Sequence, residues 1–201
     1  MREFVIVGKP NCGKTMFALN FAGYLGSKTI DMTFRTYDGL MTCRHFTLEE
    51  AKHELCGMTL HKTKSLQTVV LRMSLGKTMV NFKLTDTCGL ISQIHPDEAV
   101  RRGMAQTIDW IRSCDYVFHI VDITAFSVKP EDNSNNIDIE VYNYGKSRHN
   151  YALLANKIDL PSAKANLPRV IATFPNTLVI PISGLKGTGF KEVKACVARN
   201  I

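Results

Sequence analysis

The sequence predicts an α/β fold: a mostly parallel sheet covered by helices on both faces. Three observations carry that prediction. Short apolar runs ending in glycine or a polar residue alternate with stretches of helical spacing almost from end to end. Strands separated by helices need crossover connections, and these lay neighbouring strands parallel. No internal repeat or linker divides the 201 residues, so a single domain over 1–201 is expected.

The elements follow in order. Glu3 to Val7 is an apolar run ending at Gly8 and reads as a buried strand. Lys14 to Leu25 has helical spacing, with Phe17, Phe21 and Tyr24/Leu25 on one face. Residues 26–67 show little strand pattern and read as one long loop, of the length usually tied to function. Within it, Thr47-Leu48-Glu49-Glu50 has capping-box spacing. The stripe Leu48, Ala51, Leu55 then predicts a short helix ending at Gly57. Thr68 to Leu75 and Thr78 to Thr85 read as a hairpin turning at Gly76-Lys77, which adds one antiparallel edge. Pro96 to Ser113 is helical, striped by Val100, Met104, Ile108 and Ile111, and Tyr116 to Ile123 is a second buried strand. A polar loop at Asn133 to Asn136 precedes a helix over Ile137 to Lys146. Tyr151 to Ala155 and Thr177 to Pro181 are strands, and Phe190 to Ile201 closes the chain as a helix.

Composition narrows the class. With 45% hydrophobic and 21% charged residues the chain is globular rather than disordered or fibrous. No apolar run approaches the roughly 20 residues that span a bilayer. The N-terminus enters a strand pattern at once, so no secretory leader is expected. None of the six cysteines forms a C-x-x-C pair, which argues against a zinc ribbon and fits thiols in a reducing cytoplasm. The net charge of +7 has a plain reading, solubility, and a sharper one: an acidic partner such as RNA, a nucleotide or an anionic membrane surface.

Four stretches carry chemistry, each after a strand. Gly8-Lys9-Pro10-Asn11-Cys12-Gly13-Lys14-Thr15 fits G-x-x-x-x-G-K-[ST]. Glycines let the backbone N–H groups wrap a phosphate, and the following helix N-terminus favours an anion. Lys14 would pair with β and γ phosphate oxygens and Thr15 would hold Mg²⁺, with the backbone of Asn11, Cys12, Gly13 and Met16 completing the cradle. Asp86-Thr87-Cys88-Gly89 places a carboxylate where it can hold Mg²⁺ through water and a glycine N–H where a γ-phosphate would sit. In Asn156-Lys157-Ile158-Asp159, the Asp159 carboxylate can accept from guanine N1–H and its exocyclic amine. Adenine lacks that donor pair and would leave the charge unpaired. Asn156 would bond the ring edge and neighbouring loops, and the Lys157 stem would cover the base. Ser183-Gly184-Leu185 follows the last strand and offers a backbone N–H for guanine O6. Ligands of open α/β sheets sit at that strand edge.

With these four boxes in order, the chain resembles the P-loop GTPases of the TRAFAC class, and most of all the Era and Der branch, whose loop wording Gly-x-Pro-Asn-x-Gly-Lys-Thr stands at Gly8 to Thr15. The resemblance implies a three-layer G domain with a six-stranded sheet and one antiparallel strand. It also implies GTP and GDP binding with Mg²⁺, and slow hydrolysis that switches two loops. Association with RNA or the ribosome is a further implication of the branch. The 26–67 loop is the expected surface for a protein effector.

Four departures bear on mechanism. Cys88 replaces the family's proline. Leu90 stands where Ras-like members place a water-orienting glutamine, so the hydrolytic help must lie elsewhere. In related proteins an asparagine at the position of Asn11 helps bind K⁺; the plain alternative is that Asn11 only satisfies the loop backbone. The switch-loop threonine that holds Mg²⁺ is assigned to Thr63, with Thr59, Thr68 and Thr36 as alternatives. Gly184 replaces an alanine but keeps its N–H. Lys14, Asn11, Thr63 and Gly89 are thus the expected catalytic set, and Thr15, Thr63 and Asp86 the expected metal set.

Overall fold

The computed structural model describes residues 1–56, 65–124, 126, 136–148 and 150–201. Its elements are β1 (Glu3–Val7), α1 (Lys14–Tyr24), β2 (Thr29–Arg35), β3 (Met41–Thr47), α2 (Leu48–Leu55), β4 (Leu66–Leu75), β5 (Thr78–Asp86), α3 (Glu98–Ser113), β6 (Tyr116–Asp122), α4 (Ile137–Lys146), β7 (Tyr151–Asn156), α5 (Pro161–Thr173), β8 (Leu178–Pro181) and α6 (Phe190–Asn200). They build one sheet in the order β3-β2-β4-β5-β1-β6-β7-β8. β5, β1, β6, β7 and β8 are mutually parallel, while β4 is antiparallel to both β5 and β2, and β3 is antiparallel to β2.

The α/β class and the mostly parallel sheet agree with the sequence, but the sheet has eight strands rather than six. The extra breadth comes from 29–47, which is a hairpin and not a loop. β2 alternates, with Ile30 and Met32 buried, whereas β3 exposes every side chain except Phe46. An edge strand with almost no buried face lacks the period-two signal by which strands are read. The helix after it is as expected. Thr47 caps α2 through the Glu50 N–H, and the Glu50 carboxylate accepts from the Thr47 N–H at 2.8 Å. Its stripe, however, faces inward: Ala51 is fully buried, and Leu48 and Leu55 pack on the core. These leucines therefore hold α2 to the domain.

Helix α5 is absent from the sequence reading. Its Pro-Ser-Ala-Lys-Ala-Asn-Leu-Pro start looks like a loop, because Pro168 lies inside the helix and removes one backbone bond. Tertiary packing prevails: Pro161 suits the first turn, and Ala163 and Val170 are fully buried.

Two cores hold the three layers together. β1 divides its side chains between them: Phe4 and Ile6 join Phe17, Phe21, Phe118, Phe190 and Val193 on the face under α1, α2 and α6. Val5 and Val7 join Ile111, Val121, Val141, Leu153 and Val170 on the face under α3, α4 and α5. Phe4 stacks on Phe118 at 5.5 Å and Phe17 meets Phe190 edge-on at 5.6 Å, geometries that add to simple burial. The parallel registers bring the C-terminal ends of β1, β5, β6, β7 and β8 to one rim, with Ile6 beside Asp86, Asp122 beside Asn156 and Ala155 beside Pro181. Among the described residues no helix is long and apolar enough to cross a membrane.

Candidate functional site

The rim is built around the loop 8–15. Gly8 leaves β1 with φ 146°, and a Cβ there would lie 2.2 Å from the Ile120 carbonyl oxygen. Gly13 has φ 99°, and a Cβ there would lie 2.4 Å from Asn156 Nδ2. Both glycines are therefore required by close approach as well as by backbone conformation. Asn11 sits exposed at the tip with φ 58°, a left-handed conformation that asparagine tolerates.

Helix α1 begins at Lys14 with no side-chain cap and no acidic residue in its first turn. In contrast, α2, α3 and α4 are capped by Thr47, Asp97 and Asn136. An uncapped N-terminus behind a glycine-bounded loop directs N–H groups and positive dipole at whatever the loop encloses. The Lys14 ammonium is buried and donates to the carbonyls of Lys9 at 2.7 Å and Gly8 at 3.2 Å. Cys12 is buried beside it, and burial raises the thiol above its ordinary pKa, so it is no nucleophile. Met16 is half-buried in the first turn of α1.

Asp86 ends β5 against this loop. The Thr15 hydroxyl donates to its Oδ2 at 2.6 Å, while Oδ1 is buried with no partner among the described residues. A buried, partly unsatisfied carboxylate next to a threonine hydroxyl is an all-oxygen donor set suited to Mg²⁺ or its bound water, so the residues present fit that ion. Burial pushes the Asp86 pKa up from 3.8 to about 6, against the pull of Lys14 and Thr15. The folded value exceeds the unfolded one, so the native state binds the extra proton between these values. The resulting stabilisation is full below pH 4 and is lost as pH rises through 6. In nucleotide- and magnesium-free buffer, Asp86→Asn is expected to be more stable than the parent at pH 7.5 by about 3 kcal/mol, with little advantage at pH 4. Urea unfolding at the two pH values checks this; equal gains at both would refute it.

Gly89 lies directly on the loop, where a Cβ would come within 2.7 Å of the Pro10 nitrogen. The turn before it is held by the Thr87 hydroxyl donating to the Ile6 carbonyl at 2.8 Å, and Cys88 is buried. Leu90 is also buried, its N–H bonded to the Gly8 carbonyl at 3.1 Å and its side chain in the core under α3. It reaches no position from which to orient water.

Asn156 joins the remaining boxes. Its Nδ2 donates to the Cys12 carbonyl at 2.7 Å, and its Oδ1 accepts from the N–H groups of Lys157 and Gly184, each at 2.8 Å. The bonds to neighbouring loops are as the sequence implied. The Gly184 N–H, assigned to guanine O6 from the sequence, is here donated to Asn156. Lys157 has φ 71° and pairs through Nζ with Asp122 Oδ2 at 2.5 Å, an anchor the sequence reading missed although Asp122 also ends a strand. The Ile158 N–H donates to the Ile182 carbonyl at 3.1 Å, drawing the loop of half-buried Asp159 beside Ser183 and the exposed Leu185.

Thr63 and Thr59 fall outside the described residues. Thr68 lies within β4, its hydroxyl 2.9 Å from that of Thr85, and Thr36 turns the β2–β3 hairpin with Asp38 and the Leu40 carbonyl.

Comparison with known proteins places the chain among GTPases by family and fold. Residues 3–157 match the family model described as 50S ribosome-binding GTPase. GTPase Obg of Shouchella clausii (strain KSM-K16) is 31% identical over 122 residues, covering 59% of this chain and 28% of that protein. Mitochondrial ribosome-associated GTPase 2 of Homo sapiens is 24% identical over 110 residues, covering 55% and 26%. The chain thus spans about a quarter of the length of these curated relatives. The structure of Era with MgGDPNP and a segment of 16S ribosomal RNA superposes with TM-score 0.65 at 20% identity, over 99% of this chain and 56% of that one, which is a likeness of fold. With the matched region running from β1 to the end of β7 and Lys157, the chain belongs to the 50S ribosome-binding GTPase family.

Proposed function

We propose that this protein is a cytoplasmic switch that binds GTP and GDP with Mg²⁺ and slowly hydrolyses GTP to GDP and phosphate. The observation that carries the reading is the position of Asn156, which ties the phosphate loop to the Ser183–Leu185 loop and sets Asp159 at the same rim. The N–H groups from Asn11 to Met16 would hold the phosphates and Lys14 the β and γ oxygens. Thr15 and Asp86 would hold Mg²⁺, which when bound supplies positive charge beside the transferred phosphoryl group. Catalysis is then positioning and charge stabilisation, since phosphoryl transfer needs little covalent help.

Leu90 is buried, so water orientation falls to other groups, and a bound K⁺ at Asn11 would add charge where the transition state needs it. Single-turnover phosphate release from purified protein is expected, faster in KCl than in NaCl by about tenfold. Equal rates in the two salts would remove K⁺ from the reading. The burial of Leu90 also favours a second reading, a switch that holds GTP without cleaving it; no release over hours with GTP still bound would establish that one.

Ribosomal or RNA association is supported by the likeness to mitochondrial ribosome-associated GTPase 2, by Era's complex with 16S RNA and by the +7 charge. Affinity for rRNA that falls steeply with salt is its signature. A protein effector would meet the 26–67 segment at its exposed side chains Tyr37, Leu40 and Met41, which crown the β2–β3 hairpin.

A further inference from the structure

A buried polar chain runs from the sheet to the phosphate loop. His119, fully buried on β6, has Nδ1 2.6 Å from the Tyr151 hydroxyl and Nε2 3.1 Å from Asp138 Oδ1. A carboxylate only accepts hydrogen bonds, so Nε2 carries the hydrogen shared with Asp138, while Nδ1 meets the Tyr151 hydroxyl. Burial holds that hydroxyl well above its ordinary pKa, so it stays a donor. Helix α4 is seated closely on this chain, since a Cβ on Gly145 would lie 2.1 Å from the Tyr151 ring. Asp138, on the first turn of α4, is only 4% exposed, and its Oδ2 receives Lys9 Nζ at 2.8 Å. Lys9 Nζ also donates to Asn136 Oδ1 at 2.9 Å, the same atom that caps α4. Burial pushes the Asp138 pKa up, yet His119 and Lys9 together hold it below the usual carboxylate value. The other end of Lys9 bears on the site: its carbonyl is the nearer of the two acceptors that hold the Lys14 ammonium.

We propose that Lys9 is a positioning residue: the Tyr151–His119–Asp138 chain fixes its side chain, and so fixes the carbonyl that aims Lys14 at the phosphates. The proposal rests on the nucleotide-binding reading for its consequence, though not for its structural content. A surface ion pair would matter little. Here one partner is buried, and removing the other strands its charge beside His119 alone. The same link means that a partner moving α4 would move the aim of Lys14.

The test uses Lys9→Met, Lys9→Arg, Asp138→Asn and the Lys9→Met/Asp138→Asn double variant, with two readouts. The first is release of fluorescent GDP. The second is amide hydrogen exchange over residues 9–14 without nucleotide. Lys9→Met is expected to release GDP about tenfold faster or more and to speed loop exchange, while Lys9→Arg restores both. Asp138→Asn is expected to act in the same direction and to add little to Lys9→Met; it keeps the shape of the buried group should Lys9→Met fold poorly. Parental release and exchange in folded Lys9→Met, or fully additive effects, would overturn the proposal. If the parent bound no GDP, the nucleotide reading would fail, and the exchange comparison would still decide the role of Lys9.

Discussion

Gly8→Ala is expected to abolish GDP binding and to destabilise the fold by about 4 kcal/mol, combining backbone strain with overpacking. The added methyl has nowhere to go. It would stand 2.2 Å from the Ile120 carbonyl oxygen and 3.0 Å from Cys12 Sγ, on a residue whose φ of 146° disfavours any side chain. Relief requires β1 and β6 to part, or the loop to lift. Lifting the loop would displace the Gly8 carbonyl, which holds both Lys14 Nζ and the Leu90 N–H. Gly76→Ala is the matched control. Gly76 also has positive φ, at 60°, but a Cβ there meets nothing within 4 Å, so only the left-handed penalty of about 1–2 kcal/mol applies. Urea unfolding of both variants with GDP calorimetry checks the pair. A Gly8→Ala protein as stable as Gly76→Ala, with parental GDP heat, would contradict the close-approach account.

Asp159→Asn is expected to weaken GTP binding about a hundredfold or more and to transfer preference to xanthosine triphosphate. The proposed carboxylate accepts twice from guanine, at N1–H and at the exocyclic amine. An amide can accept once and must place its NH₂ against the second donor. Xanthine carries an oxygen where guanine carries that amine, so the amide then donates productively. The backbone should be unmoved, because the loop is set by the Leu160 N–H to Lys157 carbonyl bond, the Ile158 to Ile182 bond and the Asn156 bridge, none of which uses the Asp159 side chain. Competition between GTP and XTP for the parent and the variant checks it; a variant that still prefers GTP would place base recognition elsewhere.

The phosphate loop, Asp86, the Asn156 box and the short helix α2 were all legible from the chain because each has a local cause. Glycine spacing, a carboxylate closing a strand and a threonine three residues before a glutamate act over a few residues, and such rules can be read without neighbours. The hairpin strand β3 and helix α5 were not legible for the opposite reason. β3 buries only Phe46 and is a strand because β2 pairs with it, and α5 carries Pro168 and is a helix because Ala163 and Val170 dock on the sheet. Likewise, Leu48 and Leu55 were recognisable as an apolar stripe, but which surface the stripe faces depended on α1 and the core beneath it.

By itself the sequence determined β1, α1, α2, the run from β4 to β7, β8 and α6, the motifs that follow the strands, and the family to which they point. Only the tertiary structure decided that Asn156 takes up the Gly184 N–H, that Lys157 is anchored by Asp122, that Gly89 rests on Pro10 and that Lys9 is tied through Asp138 to His119. Each of these contacts joins residues far apart in the chain, and packing selects their partners through distance, burial and the need of every buried donor or charge for a counterpart.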